Sequence, residues 1–208
     1  MQTGDDRGVP DMVDAFELAA LVYDDGVAVD HLMCFFADEL RAAGRRIGGI
    51  VQLPPDEDTE PGQIRVLDLM TGDVFPIKQK LGPGATSCTL DSAALADASA
   101  RIGRAVDARV DLVMISKFSK QEMAGHGLRS EFGAAVAAGL PVLTSIKRPA
   151  VEPWLRFTGG IGTLLACRLR VLRDWWAETD GRRAAIYLQE ARRAAAAAAD
   201  ARRPVKVG

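Results

Sequence analysis

DLVMISKFSKQEMAGHGLRSEF, residues 111–132, begins as a strand and ends in a helix, with a cationic turn between them. Leu112, Val113, Met114 and Ile115 form a short unbroken apolar run, as a strand covered on both faces requires. Ser116, Lys117, Ser119 and Lys120 crowd the turn behind it. Gly125 and Gly127 then bracket His126, and Arg129 follows. In an open α/β sheet, ligands bind where a strand's carboxyl end meets a helix start. Two lysines, a histidine and an arginine at such a corner favour an anion.

Upstream, residues 17–23 (ELAALVY) are apolar enough for a central strand. Val29, Leu32, Met33, Phe36, Ala37 and Leu40 recur at helical spacing, with Gly44 as a stop, which predicts a helix over 28–43. Residues 46–53 read as a second strand, and PPDEDTEPG as a solvated loop. Residues 64–70 and 73–77 flank Thr71-Gly72 and predict a β-hairpin. A loop over 82–87, a helix over 90–106 and the strand over 111–116 come next. A helix within 121–138, stopping at Gly139, and a strand over 141–146 complete the order. That order implies a three-layer α/β fold: a mostly parallel central sheet, helices on both faces and a β-hairpin insertion.

Beyond Pro153 the pattern is mixed as far as Trp175 and Trp176, which suit a core or a subunit interface. RRAAIYLQEARRAAAAAADARR then forms an Ala-rich C-terminal helix. Its arginine pairs at 182, 192 and 202 advance about 80° per step, so they spiral instead of forming a basic stripe. The expected organisation is a flexible lead-in over 1–14, one domain over 15–177 and a helical tail over 178–208.

Composition narrows the functional classes. A formal net charge of −2 gives no electrostatic reason to expect nucleic acid or an anionic membrane as partner. No apolar run approaches the roughly 20 residues of a membrane span, and the acidic start does not read as a signal peptide. Cys34, Cys88 and Cys167 are far apart and odd in number, with no CxxC. Reduced thiols in a cytoplasm fit better than a disulfide framework or a zinc site.

Strand, turn and helix over 17–43 invite comparison with a phosphate-binding loop. Such a loop needs glycines that aim N–H groups at phosphate, a lysine, and a Ser or Thr for magnesium. The turn here reads Tyr23-Asp24-Asp25-Gly26-Val27-Ala28-Val29-Asp30-His31. It has one glycine and no lysine, and its three aspartates would repel a triphosphate unless neutralised or bridged. The strand over 111–116 ends in Ser116 and Lys117, where a magnesium-binding carboxylate would be expected.

VDLVMISKFSKQEMAGHGLRSEF, GLPVLTSIK and WLRFTGG, with LVYDDG, RAAGRRIGGIVQLP and SCTLDSAALADA, together resemble the bacterial DUF2478 family, a domain of unknown function, over residues 17–177. That family is similar to P-loop nucleoside triphosphatases of the small thermophile type. On this resemblance Ser116 and Lys117 take the acidic positions of those enzymes, while Lys120 and Glu122 keep a lysine and a glutamate. It implies a P-loop-like fold with a degenerate Walker A motif, and a setting linked to molybdenum and nitrogen fixation.

The candidate anion or nucleotide contacts are Lys117, Lys120, His126, Arg129, Gly26 and Ser116. Solvated lysines, a loop histidine, and an arginine paired with Glu131 or Glu122 are the plainer alternatives. Asp24 and Asp25 would hold a cation, act as general bases or cap the next helix. Cys88, next to a helix start, is a candidate reactive thiol; Cys34 reads as packing. The best-supported function is a cytoplasmic protein binding a small anion (nucleotide, phosphate or molybdate), with no resident metal and homo-oligomerisation left open. Two alternatives remain: a weak nucleoside triphosphatase using Asp24 and Asp25, and an interaction module without a small ligand.

Overall fold

The computed structural model describes residues 17–57, 59–60, 63–77 and 92–201. The apolar runs become β1 (Leu18–Tyr23), β2 (Ile47–Gln52), β5 (Leu112–Ile115) and β6 (Val142–Lys147). The predicted hairpin is β3 (Arg65–Asp68) and β4 (Val74–Pro76), and β7 is Thr163–Ala166. The helices are α1 (Val29–Ala42), α2 (Ser92–Asp107), α3 (Lys120–Met123), α4 (Arg129–Ala137), α5 (Val151–Thr158) and α6 (Leu169–Ala201). The lead-in, the loop over 82–87 and Cys88 lie outside the described residues.

The sheet has seven strands in the order β4-β3-β2-β5-β6-β1-β7. β2, β5, β6, β1 and β7 run parallel, and the hairpin adds two antiparallel strands at one edge. Right-handed crossovers then dictate the layers. The step from β1 to β2 runs across the sheet one way, and every later parallel step runs back the other way. α1 is therefore placed on one face, and α2, α4 and α5 on the other. Ala20, Ile50, Val113, Ile115 and Ile146 pack with Ile102, Phe132 and Trp154 on that second face. The alternate residues, among them Leu21, Met114 and Leu143, are equally buried. α1 turns Val29, Met33, Phe36, Ala37 and Leu40 inward.

Two elements depart from the sequence pattern. The helix expected within 121–138 is broken into α3 and α4 by Gly125 and Gly127, at φ 92° and 67°. Glu122 explains the break, because its side chain turns inward and is buried. Its carboxylate accepts from the Ser119 N–H (2.8 Å), the Ser119 hydroxyl (3.0 Å) and the Leu128 N–H (3.0 Å). A Cβ at Gly127 would collide with that carboxylate. β7 is the second departure: four residues without alternation, recruited as an edge strand by parallel pairing with β1.

The hairpin is tied to α2 through Arg101, whose Nη1 lies 2.9 Å from Asp68 and 3.2 Å from Asp73, with the guanidinium 4.5 Å above the Phe75 ring. Burial alone would raise the Asp68 carboxyl, but the Met70 N–H and Arg101 outweigh it and hold it below its usual range.

The chain divides into two compact units, Met1–Leu169 and Arg170–Gly208. The first carries the sheet. In the second, α6 buries Leu172, Trp175, Trp176 and Thr179 along one stripe, while residues 184–196 are all exposed.

Gly49, on β2, has φ +93°, and a Cβ there would strike the Met114 carbonyl oxygen of β5. Gly49→Ala is expected to lower stability by about 3 kcal/mol or more, a strained backbone plus a displaced strand pair, read as a drop in urea midpoint.

Candidate functional site

β1 and β6 are neighbours whose carboxyl ends feed opposite faces, β1 into α1 and β6 towards α5. Such a switch point opens a crevice at the sheet edge. β1 and β5 do not touch along their length, because β6 lies between them. The crevice is bounded by the turn after β1, the end of β6 and the segment after β5.

Its rim is built of matched charges. The turn after β1 is closed by a Val27 N–H to Asp24 carbonyl bond of 3.2 Å, with Gly26 at φ +82°. Arg148 forks onto Asp24 with two bonds of 2.7 Å, and Lys147 pairs with Asp25. The guanidinium holds the Asp24 carboxyl below its ordinary range, and the Asp25 contact raises the Lys147 ammonium. All four side chains are more than half exposed.

Below the rim sits a less exposed pair. Lys117 Nζ lies 3.2 Å from both oxygens of Asp30, donating to Oδ2, and Gln52 Nε2 donates to the same oxygen at 3.0 Å. The side chains are only 19% and 14% exposed. Lys117 Nζ also stands 5.4 Å from the centre of the Tyr23 ring. Burial pushes the Asp30 carboxyl above its usual value, and Lys117 offsets that only in part. Burial and the Asp30 charge likewise raise the Tyr23 phenol and the Cys167 thiol. Cys34 is pushed up to about 11, which leaves it a thiol that donates to the Gln52 carbonyl at 3.7 Å.

Ser116 and Ser145 end β5 and lie on β6. By strand alternation their side chains share the α1 face with Met114 and Leu143. Both residues are buried, and neither hydroxyl has a hydrogen-bond partner among the described residues. The backbone around them is fully engaged. Ser116 N–H donates to the Ile50 carbonyl at 3.1 Å, and Phe118 N–H to the Ser145 carbonyl at 3.2 Å. The Ser116–Lys117 peptide is cis.

The cations read from the sequence do not all gather at this crevice. Lys117 does. Lys120 and His126 are exposed around the short α3. Arg129 is turned to the α3–α4 corner, where its Nη1 donates to the Glu122 carbonyl at 2.9 Å and its guanidinium lies 4.4 Å above the Phe157 ring. Glu131 meets Ser99 and Ser130. Asp30, Gln52, Ser145, Lys147 and Arg148 were not singled out by sequence. Lys147 and Arg148 follow a strand that could be read, so strand-end position was the usable signal for them. Among the described residues, no group of three or more His, Cys, Asp or Glu is arranged to hold a metal.

A cavity of about 300 Å³ at the opposite, amino end of the sheet is lined by Arg41, Arg46, Ile47, Met70 and Val110. Its guanidiniums are committed to structure. Arg41 donates to the Leu69 carbonyl, and Arg46 to the Arg109 carbonyl and the Asp111 carboxylate. The chemistry-bearing residues converge at the carboxyl edge instead.

The fold is shared with a human cancer-related nucleoside triphosphatase solved in solution, with a TM-score of 0.52 and 16% identity, over 72% of this chain and 86% of that one. The chain is also 46% identical over 172 residues to a protein of Bradyrhizobium diazoefficiens named molybdenum import ATP-binding protein ModC 2. That match takes in 82% of this chain but 19% of the relative, so the chain spans about a fifth of the relative's length. Residues 18–175, from the first strand through Trp175, match the family described as "Protein of unknown function (DUF2478)", and the chain belongs to that family.

Proposed function

We propose that this chain binds a small oxyanion, or the phosphate of a nucleotide, in the crevice where β1, β5 and β6 end. In this reading it is a binding protein on a P-loop-type fold whose triphosphatase machinery has degenerated. The observation that carries it is the replacement of the phosphate-loop lysine and hydroxyl by two carboxylates, each already held by a cation of β6 or just after it. The loop between β1 and α1 offers a triphosphate no lysine, and its carboxylates Asp24, Asp25 and Asp30 each face a cation. Lys117, Ser116 and Gly26 with the start of α1 form the inner contacts, while Lys120 and His126, exposed around α3, are left as outer contacts to be tested. Arg129 positions the α3–α4 corner. The name of the Bradyrhizobium relative supports a molybdenum-related setting and a nucleotide as one ligand to test. A docking role for the far half of α6, where Ile186, Tyr187 and Leu188 are exposed, is independent of this ligand.

A ligand that favours the folded state raises its stability by about 2.7 kcal/mol at a hundredfold excess over Kd. A thermal-shift screen of ATP, ADP, phosphate, sulfate, molybdate and tungstate is expected to return at least one stabilising anion. Lys117→Ala with Lys120→Ala should abolish that shift. Its ligand-free Tm should also fall, because Asp30 loses its cation. If no anion stabilises the parent protein, the proposal is wrong.

Asp30 offers an independent check, since a binding residue is often kept at a cost in stability. Its carboxyl titrates above its ordinary 3.8 in the folded chain. The folded state therefore holds the proton longer than the unfolded one, and stability falls as pH rises from 3.8 through the folded value. Asp30→Asn is expected to raise the ligand-free Tm at pH 7 and to leave it nearly equal to the parent's at pH 3.

A further inference from the structure

We propose that the Asp30–Lys117 pair makes this crevice select an oxyanion that still carries a proton, inorganic phosphate, over a fully ionised one such as sulfate. The inference rests on the anion-binding function proposed above and names the ligand class within it.

Near the sheet's carboxyl edge, Asp30 Oδ1, Ser116 Oγ and Ser145 Oγ are buried with no hydrogen-bond partner among the described residues. The serines are 6% and 0% exposed. Buried polar groups are ordinarily satisfied, so three orphans at a switch point mark a place where an exogenous group completes the network. The serine hydroxyls can donate or accept, whereas an ionised carboxylate can only accept. Asp30 Oδ2 already receives the Lys117 ammonium and the Gln52 amide. Oδ1 lies 3.2 Å from the same ammonium but has no aligned donor.

Inorganic phosphate keeps at least one proton on oxygen throughout the neutral range, whereas a phosphate monoester, with a second pKa of about 6, is mostly unprotonated at pH 7. A P–OH group supplies the donor that Asp30 Oδ1 lacks, while the other oxygens accept from Lys117 and the serine hydroxyls. Sulfate has the same shape and no proton. Its oxygens would face the Asp30 carboxylate as like charges in a partly desolvated site. The groups around Asp30 do not relieve this. Lys117 is the cation that favours its charge, His31 is the adjacent imidazole, and Tyr23, Cys34 and Cys167 are neutral neighbours whose ionisation it opposes.

The test is calorimetric titration of the full chain at pH 7 with inorganic phosphate and with sodium sulfate. Phosphate should bind more tightly by about tenfold or more, the worth of one hydrogen bond to a charged group. Asp30→Asn, checked for folding by circular dichroism, puts an amide in place of the carboxylate and should bring the two affinities within about threefold, with sulfate gaining. Equal affinities in the parent, or a preference for sulfate, would overturn the selectivity while leaving anion binding intact. An unchanged ratio in Asp30→Asn would remove Asp30 from the account. Binding of a nucleotide with neither phosphate nor sulfate bound would also refute the inference. Failure of every anion in the screen would instead overturn the function on which it rests.

Discussion

Covering a parallel sheet on both faces is the constraint from which the rest follows. Once α1 takes one face and α2, α4 and α5 the other, the central strands β1, β2, β5 and β6 are covered along their length and open only at their ends. The loops leaving β1 and β6 must then part to opposite sides, and the gap between them is a place where backbone and polar side chains converge. The residues of this crevice are ordinary ones, set there by crossover handedness.

What fills the gap differs from a phosphate loop in its charge balance. Arg148 with Asp24, Lys147 with Asp25 and Lys117 with Asp30 are three cations matched to three carboxylates. Under the proposed function, an incoming anion would compete with an internal carboxylate for each cation it used. The exposed rim pairs are easily exchanged, since solvent already screens them. The Lys117–Asp30 pair is another matter, because its desolvation is largely complete before any ligand arrives. Its weak hold on Asp30 leaves this pair less well balanced than those of the rim.

The neighbouring α3–α4 corner shows how a residue can look functional in sequence and act locally. Glu122 and Arg129 stand at helical spacing beside His126, like a ligand set. In the fold Glu122 gathers N–H groups that a broken helix would otherwise leave bare, and Arg129 lies on Phe157 at the edge of an aromatic cluster with Phe118, Phe132 and Trp154. The polar atoms of Glu122 and Arg129 are occupied in shaping the turn that carries Lys120.

By itself the sequence determined the order of elements, the parallel sheet with its hairpin, the family, and the departure of the turn after β1 from a phosphate-binding pattern. These are local properties: apolar runs, helical spacing, turn residues and the identity of side chains at a strand end. Only the tertiary structure decided that β6 separates β1 from β5, that Thr163–Ala166 is a strand, and that α3 and α4 are distinct. It also decided which carboxylate each cation meets, across separations of 87 residues for Lys117 with Asp30 and 124 for Arg148 with Asp24. Strand neighbours and ion-pair partners at such distances are chosen by how the layers close, and spacing along the chain does not encode that choice.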